Sequence, residues 1–134
     1  MKRLLLAGLA MVVISAATAA AHHSFAAEFD AAKPFKMTGT VTKVEWQNPH
    51  TFFYIDVTDA AGKVTNWAME LGSPNGLMRN GWTRNTLKIG EQVAVTGYLA
   101  RLTPPDGAQM AIAASVTASD GRQLFASAQQ DLAR

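Results

Sequence analysis

The chain has 134 residues, no cysteine, and twelve Lys and Arg against ten Asp and Glu. That length allows one small domain with a single core. The missing cysteine excludes disulfides, thiol nucleophiles and lipid attachment through a thiol.

Met1-Lys2-Arg3 precedes an apolar run from Leu4 to Ala17 and then a stretch of small residues. A charged start, an apolar middle and an Ala-x-Ala end predict a secretory signal peptide over residues 1–21. Ala19-Ala20-Ala21 places the cut before His22, and cuts after Ala19 or Ala20 also satisfy the small-residue rule. The apolar run falls short of the roughly 20 residues a membrane span needs. The expected product is periplasmic, with no membrane anchor after cleavage. Losing Lys2 and Arg3 takes the basic residues from twelve to ten, equal to the acidic ones. A neutral mature chain has no basic footprint for nucleic acid and no polybasic run for a membrane surface.

Residues 22–35 lack strong periodicity and read as an N-terminal arm, although Phe25 and Phe29 are spaced for one helical turn. Residues 36–46 are rich in Thr and Val and predict a first strand. Val41 and Val44 have opposite parity, so a bulge between them is needed to turn both inward, and Gly39 is a place to bend. A polar corner follows, Asn48-Pro49-His50. Residues 51–57 predict a second strand, with Phe53, Ile55 and Val57 on one face and Phe52, Tyr54 and Asp56 on the other. Asp59-Ala60-Ala61-Gly62 turns into a third strand, 64–71, with Trp67, Met69 and Leu71 inward, so that the two form a hairpin.

Ser73-Pro74 predicts an N-cap and a first helical residue, with one or two turns over 75–80 stopped by Gly81. Residues 82–89 read mostly as connection. A fourth strand, 92–101, a loop through Pro104 and Pro105, and a fifth strand around Met110 to Val116 follow. A short last strand at 123–125 completes the barrel domain, 36–126, and residues 127–134 form a tail. Three strands, a helix, then two or more strands predict an all-β fold with one short helix. The plan is that of an OB-like, five- to six-stranded Greek-key barrel, with a small β-sandwich as the alternative.

No phosphate loop, nucleophile elbow or H-E-x-x-H motif occurs, and the expectation is a protein without enzymatic activity. The polar corner and its neighbours form the densest group of functional side chains. Trp46, Asn48, His50, Phe52, Tyr54 and Glu70 are the expected ligand-binding set, for a small ligand or a periplasmic protein. Glu45 and Glu70 also fall on strands that can bring them near each other. The histidines are only three, His22, His23 and His50. If the mature chain starts at His22, its amine and imidazole Nδ1 chelate one metal, with His23 or His50 adding nitrogen. Such nitrogen-rich sets favour Cu(II); no other cofactor is implied. Met37, Met69, Met78 and Met110 are scattered and read as core or near-core filler, not as a Cu(I) relay.

The combination of a signal peptide, His-His-Ser-Phe at 22–25, Gly39-Thr40-Val41, Val44-Glu45-Trp46, Asn48-Pro49-His50, Trp67, Glu70 and the Val-x-Val of 93–95 resembles a family of small secreted bacterial proteins of unknown function. The resemblance spans the whole mature chain. It implies a periplasmic OB-like barrel and points to His22, His23, Trp46, Asn48, His50 and Glu70 without assigning them roles. A looser similarity links the chain to exported bacterial OB-fold proteins that bind small cationic ligands, by plan and not by motif.

Overall fold

In the computed structural model, which describes residues 25–127, a long first strand organises everything else. β1 (Phe29–Glu45) pairs with β2 (Phe52–Thr58) through its second half and with β4 (Gln92–Ala100) through its first. It begins at Phe29, seven residues before the expected start. Much of the segment read as an arm therefore already lies in the sheet. Pro34 gives no amide hydrogen to a ladder, and the register with β4 shifts between Phe29 and Pro34. Ahead of it, α1 (Phe25–Glu28) is the single helical turn that the Phe25 and Phe29 spacing suggested. The two rings stack at 5.8 Å.

The expected bulge is present. The register between β1 and β2 shifts between Val41 and Lys43, so Val41 and Val44 both face inward. Gly39 is needed there because a Cβ would stand 2.6 Å from the Asp56 carbonyl oxygen. The β2–β3 hairpin turns at Asp59, whose side chain accepts from the amides of Ala61 and Lys63 at 2.9 Å each. Thr58 then faces Val64, and the register runs unbroken to Phe52 opposite Glu70 on β3 (Val64–Glu70).

Beyond β3, Ser73 caps α2 (Pro74–Arg79) by accepting from the Gly76 amide at 3.2 Å, with Pro74 in the first turn. The chain leaves α2 through Gly81, whose φ of 84° suits glycine. The connection that follows is more than a linker. Trp82 and Leu87 enter the core, and the Trp82 indole donates to the Leu124 carbonyl at 2.6 Å while meeting Phe125 edge-on. β4, β5 (Gln109–Ala118) and β6 (Gln123–Ala126) then form an antiparallel run.

The strand order is β3-β2-β1-β4-β5-β6, and β3 also pairs in parallel with β5. That pairing joins the ends of the run β3-β2-β1-β4-β5 into a closed five-stranded barrel with β6 as an extra strand. The sandwich alternative is set aside. The topology and the helix between β3 and β4 match an OB-like barrel.

The barrel is filled by Val41, Phe53, Ile55, Met69, Val93, Val95 and Val116, all at or below 1 % exposure. Each contributes about 1.5–3 kcal/mol over leaving it in water. Met69 is core as expected, whereas Met78 is half exposed on α2. No helix among the described residues is long and apolar enough to cross a membrane. Residues 1–24 and 128–134, which include the expected signal peptide, His22, His23 and most of the tail, lie outside the described residues.

Candidate functional site

The strand registers assemble the site. Glu45 faces Phe52, Phe52 faces Glu70, Glu70 faces Ile112, Ile112 faces Tyr98, and Tyr98 faces Pro34. These six residues have the opposite parity to the core set, so they form one row around the outside of the barrel. It begins and ends on β1, which is long enough to close on both sides.

Glu70 is the anomaly in this row. It points outward yet is only 4 % exposed. Burying a carboxylate without compensation is costly, so partners are expected. His50 supplies one, with its Nδ1 lying 2.5 Å from Oε1 of Glu70. It is placed there by the hairpin register. Thr51, the next residue, gives its amide to the Gly72 carbonyl at 3.0 Å and takes the Leu71 amide at 2.8 Å. The corner is thereby clamped against the end of β3. When Nδ1–H donates to the carboxylate, Nε2 is the ring nitrogen left to accept. The imidazole itself is about half exposed.

Burial pushes the Glu70 carboxyl above its ordinary range, the His50 imidazole pulls it back, and the nearby Glu28 carboxylate pushes it up again. Glu28 comes from α1. That helix is anchored over the row by Phe25, edge-on to Tyr98 at 5.6 Å, and by Arg101, whose side chain donates to the Ala26 carbonyl at 2.7 Å. An imidazole from the corner, a buried carboxylate from β3 and a second carboxylate from the arm thus share one neighbourhood, with half-buried Phe52 and Ile112 beside Glu70 on the row.

The other expected binding residues fall elsewhere. Trp46 packs partly buried against the core, and Asn48 is exposed at the corner, joined to Pro49 by a cis bond. Tyr54 is on the outer face as expected, but its hydroxyl is committed to Glu45 at 2.8 Å, and Lys43 stands over its ring at 5.0 Å. Lys43 also pairs with Glu45. These two partners, Lys43 first, hold the Glu45 carboxyl below its usual value. Burial first, and then Glu45, push the Tyr54 hydroxyl up to about 12. Glu45 and Glu70 do share a face, with Phe52 between them.

Two further site residues, Glu28 and Ile112, were not anticipated from the sequence. Among the described residues no group of three His, Cys, Asp or Glu side chains is arranged to hold a metal ion. Of the three expected metal ligands only His50 falls within that span. Thr51 adds one more feature. It faces inward, fully buried, and its hydroxyl has no hydrogen-bond partner among the described residues.

A search of curated proteins finds no match to the chain. Residues 10–109 match DUF6152, a family of unknown function, and over that three-quarters of its length the chain belongs to this family.

Proposed function

We propose that this protein is an exported, non-enzymatic binding module that captures a small cation at the corner formed by His50 and Glu70. The observation that carries the reading is the buried outward-facing carboxylate of Glu70 facing the His50 imidazole at 2.5 Å. A carboxylate withdrawn from water gains from a cation brought to it, and Glu28 adds to the negative field. Phe52, next to Glu70 on the same face, offers a ring to an organic cation. The residues 1–21 leader supports export to the periplasm.

A second reading is favoured by one detail of the same pair. A histidine that ligates a metal commonly gives its other ring N–H to a carboxylate, which sets its orientation and basicity. His50 has that arrangement, with Nε2 left for a ligand. In this reading Cu(II) is taken by the amine and imidazole of a mature N-terminal His22, with His23 or His50 completing the set. α1, whose first residue Phe25 follows His22 by three positions in the sequence, is anchored over this side of the barrel.

The test is a calorimetric titration of the exported, mature protein with putrescine and, separately, with Cu(II). Its N-terminus would first be confirmed by intact mass. Saturable equimolar binding that Glu70→Gln abolishes supports the cation site. A form with one Gly added before His22 separates the two readings. Copper binding lost in that form is terminal chelation, while putrescine binding is unaffected by it. Binding of neither probe overturns both.

A further inference from the structure

The outer face of β3 continues past the Glu70 corner as an apolar surface. β3 lies between β2 and β5, and its outward residues fall into two rows. Glu70 stands between Phe52 and Ile112, and Ala68 stands between Tyr54 and Met110. All six residues have the same parity and so share one outer face, and the five beside Glu70 are half-buried. Ala68 is the small side chain among them. Phe52 and Tyr54 rise on one side of it, Met110 and Ile112 on the other, with the two walls about 10 Å apart. They enclose a shallow trough that runs along β3 and ends at the Glu70 carboxylate. From Glu70 to Ala68 is two residues, about 7 Å.

The charges around the trough are mostly negative. Glu70 closes one end, where the Glu28 carboxylate adds to its field. On the β2 side Glu45 and Asp106 both act on the Tyr54 hydroxyl. Lys43 is the counterweight there, 5.0 Å over the Tyr54 ring and paired with Glu45. Its ammonium stands at the end of the trough away from Glu70. A cationic ligand is therefore turned with its charge toward Glu70 and its apolar part over Ala68. A hydrated metal ion would leave the trough unused. A linear diamine would set its second ammonium on apolar surface beside Lys43.

We infer that the site takes an arylalkyl ammonium. The ammonium meets the Glu70 carboxylate, and the ring lies over Ala68 between Phe52 and Met110. An ammonium two carbons from a ring, with one hydrogen bond to the carboxylate, spans roughly the 7 Å between Glu70 and Ala68. Phe52 offers an aromatic neighbour to the ring, and the Met110 sulfur favours one as well. This ligand class rests on the reading of Glu70 as a cation site and specifies which kind of cation occupies it.

The test is a calorimetric titration of the mature protein with 2-phenylethylamine. Ethylammonium serves as the cation without a ring, 2-phenylethanol as the ring without a charge, and putrescine as the probe of the corner alone. The expected result is saturable equimolar binding of 2-phenylethylamine, at least about tenfold tighter than ethylammonium because the ring is buried. The alcohol binds far less well. Ala68→Leu fills the floor of the trough, and Met110→Ala removes part of its wall. Both positions face away from the core. Each variant, shown folded by its melting profile, weakens 2-phenylethylamine several-fold more than it weakens ethylammonium. Three results overturn the inference: no saturable binding of 2-phenylethylamine into the millimolar range, ethylammonium or 2-phenylethanol binding as well as it does, or indifference to both variants. Putrescine tells the two levels apart. If it binds and 2-phenylethylamine does not, the arylalkyl class alone falls; if neither binds, the cation site falls with it.

Discussion

Glu45 and Glu70 flank the same residue, Phe52, on the same face of the barrel, and their surroundings drive them in opposite directions. Glu45 is tied to Lys43 and to the Tyr54 hydroxyl and is held more acidic than an ordinary glutamate. Glu70 is withdrawn from water, meets one imidazole and a second carboxylate, and is held less acidic. The first is a closed set, in which each charge already has its partner. The second is set by burial, with a single imidazole at hydrogen-bond distance from the Glu70 carboxylate. Parity places both side chains outside; the neighbouring strands decide whether water reaches them.

The largest effect on this contrast is expected from Gly97→Ala. A Cβ at Gly97 would stand 1.9 Å from the Ile112 carbonyl oxygen, on backbone that cannot give way cheaply. Ile112 is the wall of Glu70 on the β5 side and has no counterpart beside Glu45. We expect a loss of about 3 kcal/mol in denaturant unfolding. In protein that still folds, the Lys43–Glu45–Tyr54 set survives, as reported by the Tyr54 titration.

The pair Glu70→Gln and Glu45→Gln should give stability differences from wild type with opposite pH slopes. Glu70 has a raised folded-state value, so its contribution is full below the unfolded value near 4.5 and is lost as pH rises through the folded one. Glu70→Gln, fixed neutral, therefore gains on wild type as pH rises, by about 1–2 kcal/mol. Glu45 has a lowered value, so its contribution is present above about 4.5 and is lost as pH falls. Glu45→Gln loses to wild type on the neutral side, by less than about 1 kcal/mol because the set is solvent-screened. Melting temperatures across the acid range decide it, and parallel slopes would remove the distinction.

Thr51→Val removes the unpaired buried hydroxyl beneath the corner without changing shape. It is expected to be neutral or to stabilise by about 1 kcal/mol. The smallest effect is spectroscopic. Tyrosinate absorbance should place Tyr54 near 12, and Glu45→Gln should move it down. The stability tied to this raised value is full below about 10 and fades between about 10 and 12. A Tyr54 that titrates identically in both proteins argues against the Glu45 bond.

Much of this architecture was legible in the chain. Val41 and Val44 with opposite parity announced a bulge, Ser73-Pro74 a helix start, and Asp59 to Gly62 a tight turn, because each is a local rule with a local cause. Even Phe52 opposite Glu70 follows from that turn, since Thr58 facing Val64 fixes each later pair. Glu28 beside Glu70 does not follow from anything local. It depends on Phe25 docking on Tyr98, and so on the β4–β5 and β3–β5 registers at once. Met78 failed for a related reason, since a six-residue helix lying on a barrel has no periodicity long enough to show its inner side.

The parallel seam between β3 and β5 carries one last consequence. It joins residues 67–70 to residues 109–112 through only four pairs, against seven or more between β1 and β4, β2 and β3, or β4 and β5. No covalent staple reinforces it, since the chain has no cysteine. The barrel therefore has a zip. Amides along this seam should exchange with deuterium sooner than those of the flanking ladders. Glu70 and Ile112 form the last pair of that zip, so the buried Glu70 carboxylate and its His50 contact sit at the point where the barrel closes.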